Sequence, residues 1–440
     1  TDARQEISAV DAILVANMNA GIFSGQEHLG ALFAAELRTN VPAFHIEGAC
    51  ASGGLAINLA WTMLASGQYQ NILVIGAEKM TDVDGAEATR GLNSAADEEW
   101  EGFYGVTFPS LYAMIAREHM RLYGTTREDL AAVSVKNHAN ALLNPDAQFR
   151  KAISVAAVLE ATPVAEPLGL LDCSPISDGA AAVILSTRKP KNSSKHSVRI
   201  LASNVAQSSL SLHNRQEIST IDATITAAQM AYKAAKLKAA DIDIAEVHDC
   251  FTIAEILAYE DLGFAKKGQG VDLIRSGATN RDGKLPVNVS GGLKACGHPV
   301  GATGVSDPSC TTRCGGVLCR AARHPSWRGY SIDSISISGD RDLNTPRLRT
   351  PAGAAGSWGG AGRCTSASGN SHVPQRWGTA GKPIVAGYVQ AGTVAQAKSD
   401  WHAAGQGVRG KQAGATFKSL SIECPCGPRT LVACGTGMVA

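Results

Sequence analysis

The chain has 440 residues, a formal net charge of +1, 45% hydrophobic residues and 18% charged residues. That length exceeds a single compact core, and the composition excludes a wholly disordered chain. No run reaches the eighteen or more apolar residues of a membrane span, no signal-peptide pattern opens the chain, and the near-neutral balance offers no general affinity for nucleic acid.

The neutrality is a cancellation. Residues 306–440 hold 15 Lys and Arg against 6 Asp and Glu, a net of +9, together with 7 of the 11 Cys, 4 of the 6 Trp and 21 of the 46 Gly. Residues 1–305 carry 25 against 33, a net of −8. The two parts are therefore read separately.

In the first part, Asp11–Met18, Val41–Glu47 and Asn71–Ala77 are short apolar runs that predict strands. Between the last two, Ala51–Ser66 places Leu55, Leu59 and Met63 at four-residue spacing, which predicts a helix. Strand, Gly-rich turn, helix and strand make a βαβ unit and imply a parallel sheet. Residues 81–178 carry mixed charge and a predicted helix at Ser110–Tyr123, and read as an insertion before the next strand, Ala180–Ser186. Thr187–Ser197 is polar and basic and reads as a linker. Strands are then predicted at Val198–Ser203, Ile244–Val247 and Val287–Ser290, and helices at Asp222–Leu237 and Phe251–Leu262. Two successive α/β halves, 1–187 and 198–305, suggest a duplicated fold.

Three loops carry residue types suited to chemistry. Gly48-Ala49-Cys50-Ala51-Ser52-Gly53-Gly54 puts Cys50 between a strand and a helix, where free N–H groups and the helix dipole are expected to stabilise a thiolate. A small buried residue in a tight turn is the alternative. His248-Asp249-Cys250-Phe251 offers two groups able to move a proton near neutrality. The segment 291–304, GGLKACGHPVGATG, holds His298 among glycines. A thiol with nearby imidazoles matches an activated nucleophile. His248-x-Cys250 with Cys296-x-His298 is also a zinc-compatible ligand set, although zinc pairs usually have two to four intervening residues. There is no Walker-type loop, no GxGxxG after a strand and no HExxH. The fourth cysteine of this part, Cys173, is expected to be structural, and so few cysteines argue against a disulfide framework.

At these loops the sequence resembles the thiolase superfamily, and within it the sterol carrier protein type of acyl-CoA C-acyltransferase. GACASGG is similar to that family's nucleophile loop, HDCF to a loop that reads Asn-Glu-x-Phe in many other thiolases, and GHPVGATG to its histidine loop. The resemblance implies a duplicated α-β-α sandwich with two five-stranded mixed sheets, both halves incomplete here. It implies Cys50 as the acylated nucleophile, His298 as the group that activates it and helps hold an oxyanion, His248 as an oxyanion donor, and Cys250 as the acid/base. The implied reaction is cleavage of 3-oxoacyl-CoA by CoA to a shortened acyl-CoA and acetyl- or propanoyl-CoA in fatty-acid or sterol side-chain β-oxidation. CoA is then a substrate, no metal or other cofactor is needed, and a homodimer in a peroxisome (glycosome-like) or mitochondrial matrix is expected. Biosynthetic Claisen condensation or another acyl-thioester transfer, and an inactive acyl-CoA binder, are the alternatives.

Family members have a strand and helix before the point matched by Asp11, which makes the chain read as a fragment. After Val305 the expected amphipathic helix and Gly-rich strand pair are replaced by a Gly/Arg/Cys-rich stretch with no sustained period, expected to be disordered. Residues 306–440 read as an out-of-frame or misassembled translation. A metal-binding tail built on Cys310, Cys314, Cys319 and His324 is the rival reading.

Overall fold

Residues 6–188 and 197–306, with the segments 317–321, 387–391 and 429–434, are described by a computed structural model of the chain. The run after Asp11 forms β1 (Ala12–Ala16), with all five residues buried. It lies between two parallel neighbours, β2 (Ala43–Ile46) and β3 (Asn71–Glu78). Strand side chains alternate between faces. Ala12, Leu14 and Ala16 accordingly pack with Ala56, Ile57, Ala60 and Leu64 of the helix Ser52–Ala65. Ile13 and Val15 pack with Leu29 and Phe33 of the helix Leu29–Glu36. Helices thus cover both faces of the sheet.

The helix Ser52–Ala65 is the predicted one, and Ala56, Ile57, Ala60 and Leu64 form its buried side. Leu59 is 38% exposed, whereas Ala56 and Ala60 are fully buried. Small side chains at Ala56 and Ala60 let the helix backbone approach the strands, and Ile57 and Leu64 pack beside them.

After β3 the chain passes through the helices Gly85–Asn93, Phe108–Tyr123, Arg127–Ala141 and Val155–Leu159. It then makes a small antiparallel pair, β4 (Pro163–Ala165) and β5 (Leu168–Gly169). It returns as β6 (Gly179–Ser186), antiparallel to β3 in unbroken register from Asn71↔Ser186 to Glu78↔Gly179. Asp178 closes the base of this excursion by accepting hydrogen bonds from Met80 N at 2.7 Å and Thr81 N at 3.1 Å and pairing with Lys79 Nζ at 2.9 Å.

The second series holds β7 (Ser197–Asn204), the helix Asp222–Ala235, β8 (Ile244–Glu246) and the helix Thr252–Asp261. The strand predicted at Val287–Ser290 does not form; Val287 makes only an isolated parallel bridge to Ala245. Asn288 turns the chain there with φ +53°, its side chain accepting from Val247 N at 2.8 Å and donating to Glu255 at 2.8 Å.

Three further strands, β9 (Val317–Ala321), β10 (Gly387–Ala391) and β11 (Arg429–Cys434), come from the stretch in which no regular structure was expected. Among the described residues the sheet runs β2-β1-β3-β6-β10-β7-β11-β9-β8, one sheet of nine strands where the resemblance implied two of five. The reason lies in the backbone: β10 pairs antiparallel with both β6 and β7, supplying partners for peptide groups that would otherwise be left open. Cys310, Cys314 and His324, and linker residues 189–196, lie outside the described residues. Among the described residues no helix is long and apolar enough to cross a membrane.

The helix Ser52–Ala65 meets the 297–304 loop backbone to backbone. A Cβ on Gly304 would lie 2.4 Å from Gly54 N and 2.8 Å from Gly53 Cα. Gly304→Ala should therefore cost about 1–3 kcal/mol and lower the melting temperature by a few degrees. Gly85→Ala, where nothing lies within 4 Å, should leave thermal denaturation almost unmoved.

Candidate active site

Cys50 lies in a short 3₁₀ turn, Ala49–Ala51, between β2 and the helix Ser52–Ala65. Ala49 adopts φ +46°. That conformation is costly for alanine and is held by neighbouring polar groups. Glu47 Oε1 accepts from Ala49 N at 2.7 Å, and Ser52 Oγ accepts from Gly48 N at 3.0 Å while donating to Ala49 O at 2.7 Å. The turn leaves Cys50 on the wall of a cavity of about 420 Å³.

Three buried carboxylates hold the loop that carries His298. Glu246 accepts from Ser290 N at 3.0 Å and Ser290 Oγ at 2.8 Å. Asp249 accepts from Leu293 N at 2.6 Å, Lys294 N at 3.2 Å and Asn137 Nδ2 at 2.7 Å. Glu78, the last residue of β3, accepts from Gly301 N at 2.8 Å, Met18 N at 2.7 Å, Asn19 N at 3.3 Å and Asn17 Nδ2 at 2.9 Å. Within this frame His298 N donates to Ser177 Oγ at 2.9 Å.

Thr303 Oγ1 lies 2.7 Å from His298 Nδ1 and 3.2 Å from Pro299 O. With its hydroxyl given to Pro299 O, it accepts from Nδ1, and the lone pair of the ring is then on Nε2. Nε2 is buried with no hydrogen-bond partner among the described residues.

Cys50 Sγ and a ring nitrogen from each of His248 and His298 lie within 4.8 Å of one another. The two imidazoles meet edge to face with centroids 5.1 Å apart. Cys250 lines the same cavity. All four predicted site residues thus come together. Cys296 does not join them: its Sγ is buried and donates to Ser290 O at 2.7 Å. The four-residue zinc set is therefore not assembled, although the Cys50, His248 and His298 atoms alone form a soft donor set that could hold an ion.

The electrostatics reverse one expectation. Burial pushes the Cys50 thiol up to about 12, with the Glu78 carboxylate adding to the rise and a backbone hydrogen bond only partly opposing it. Helix-start N–H groups are present, but desolvation and a nearby negative charge outweigh them. Burial lowers His248 to about 4, and burial with the neighbouring His248 takes His298 well below its ordinary value. Burial, then the Cys50 sulfur, raises Cys250 far above a free thiol. At neutral pH the site rests as two thiols and two neutral imidazoles.

Cys173, expected to be structural, lines the cavity and bridges the backbone of Phe251. Glu78, Ser177, Thr303 and Tyr112 belong to the site without having been singled out in the sequence. Only Glu78 left a signal there, a lone carboxylate ending a buried apolar strand.

Because Cys50 rests protonated, its alkylation by iodoacetamide, mapped by peptide mass, should keep accelerating above about pH 9. A plateau already reached between about pH 6 and 8 would instead reveal a resting thiolate–imidazolium pair.

Family models match two stretches of the chain, "Thiolase, N-terminal domain" over residues 2–189 and "Thiolase C-terminal domain-like" over residues 204–307. An acetyl-CoA acetyltransferase of Methanothermobacter thermautotrophicus is 52% identical over 307 residues, 69% of this chain and 80% of that protein. Sterol carrier protein 2 of Bos taurus is 32% identical over 318 residues, 69% of this chain and 58% of that protein. Among solved structures, the Ltp2-ChsH2(DUF35) aldolase matches with a TM-score of 0.60 and 25% identity, covering 69% of this chain and 78% of that one.

Proposed function

Since the chain belongs to the thiolase superfamily and is an acyltransferase of the thiolase type, we propose that its cavity cleaves 3-oxoacyl-CoA with CoA through an acyl-Cys50 intermediate, in the manner of the sterol carrier protein type. The observation that carries this reading is the grouping of Cys50 Sγ with two neutral imidazoles within 4.8 Å, on a cavity that also presents Cys250.

The steps follow from the protonation states. Cys50 Sγ attacks the 3-keto carbon as its proton passes to His298 Nε2, which has no hydrogen-bond partner among the described residues. Neutral His248 donates to the thioester oxygen, on which charge collects as the carbon–carbon bond breaks. Cys250, a protonated thiol, gives its proton to the α-carbon of the departing enolate. The CoA thiol gives its proton to the Cys250 thiolate and attacks the acyl carbon, and Cys50 leaves as it takes back the proton held by His298. Walls formed by Met80, Leu92, Phe108, Ile221 and Leu262 suit an apolar acyl chain.

The reverse direction, condensation of two acetyl-CoA molecules, is a second reading, favoured by the 52% identity to a protein named acetyl-CoA acetyltransferase. The same groups serve it, with Cys250 as base. The edge strand β2, where Phe44 is 44% exposed, is proposed to pair two copies.

Incubation with an acyl-CoA should add one acyl group at Cys50, seen by mass. Cys50→Ala should remove the adduct and at least about a thousandfold of turnover. Cys250→Ala should still acylate at Cys50 while slowing carbon–carbon cleavage about a hundred- to ten-thousandfold. A folded protein that takes no acyl group would overturn the proposal.

A further inference from the structure

Resting on the role proposed for Cys250, we propose that Tyr112 is a positioning residue for the carbon–carbon step, its phenol held by the stack on Phe251 where it can donate to the Cys250 sulfur. Tyr112 belongs to the helix Phe108–Tyr123 of the excursion between β3 and β6, is 3% exposed and lines the cavity beside Cys250. Its ring stacks on Phe251, the residue after Cys250, at a centroid distance of 4.4 Å and an interplanar angle of 27°. The stack fixes the phenol relative to the loop that bears the acid/base.

The charge balance shows what such a donor does. In cleavage, the Cys250 S–H bond breaks and a C–H bond forms at the enolate α-carbon, so negative charge passes from the enolate oxygen to sulfur. Around Cys250, burial, the Cys50 sulfur and Asp249 all disfavour that charge; the Tyr112 hydrogen bond and one from the backbone favour it. Burial keeps the phenol itself protonated, as do Cys250 and Cys50, so it remains a donor.

Arg215 acts on Tyr112 electrostatically. The arginine is 8% exposed, and none of its three guanidinium nitrogens has a hydrogen-bond partner among the described residues. Carboxylates at Glu101, Asp222 and Asp261 bear on it at a distance. Two of them are already engaged, Glu101 by Leu212 N at 2.7 Å and Asp261 by Ile221 N at 2.9 Å and Lys267 Nζ at 3.0 Å. Its positive charge lowers the phenol and so strengthens the O–H as a donor.

The test separates proton transfer from acylation. Exchange of the acetyl-CoA methyl protons in D₂O reports proton transfer by Cys250, and the rate of Cys50 acylation reports the rest of the site. Tyr112→Phe should slow the exchange about tenfold to a hundredfold and move its rising pH limb upward, with acylation within about twofold of the parent. A difluorotyrosine at position 112, a stronger donor of almost the same shape, should move that limb downward and keeps the test open should Tyr112→Phe not fold. Exchange unaltered in rate and pH dependence in these proteins, or exchange and acylation slowed equally, would overturn the proposal. Absence of Cys50 acylation in the parent protein would instead overturn the proposed function.

Discussion

The carboxylate of Glu78 is the point on which the site depends. It ends β3, the strand packed between β1 and β6, and gathers N–H groups from the turn after β1 and from the loop of His298. Burial alone raises its pKa, and four hydrogen bonds work against that rise. Removing any of these donors would leave a buried acceptor short of partners, which is costly. The same negative charge lies close enough to oppose a thiolate at Cys50. One side chain thus ties the loops together and adds to the burial that keeps the Cys50 thiol protonated.

Asp249 repeats the arrangement on the other side. It sits between His248 and Cys250, so clamping Leu293 N and Lys294 N ties both of those side chains to the loop that ends in His298. Asn137 reaches it from the excursion between β3 and β6, which also contributes Cys173, Ser177 and Tyr112. A segment that looks like a cover over the cavity is therefore part of its foundation.

The legible parts of the sequence were those with local causes. Short apolar runs marked β1, β3 and β6, and glycine-rich turns beside Cys50 and His298 marked where backbone must pass close to backbone, as Gly304 does against Gly53. What escaped was set by distant partners. Asn288 abandons a strand conformation because its amide is drawn to Val247 and Glu255. Glu78 finds Gly301 across 223 residues of chain, a pairing no local pattern encodes. The spacing of Leu55, Leu59 and Met63 marked the helix Ser52–Ala65 but not its buried side, where Ala56 and Ala60 let it approach the sheet. In 306–440, where side-chain periodicity is weak, open strand edges recruit three short segments.

The protonated thiols have a consequence for the life of the molecule. Oxidants and stray electrophiles attack thiolates, and sulfenic acid formation follows the same preference. A site whose sulfurs stay protonated at cellular pH is chemically quiet between turnovers. In the role proposed for Cys50, its thiolate comes into being only when a carbonyl is there to accept it, so vulnerability is confined to the moments when a substrate already occupies the space.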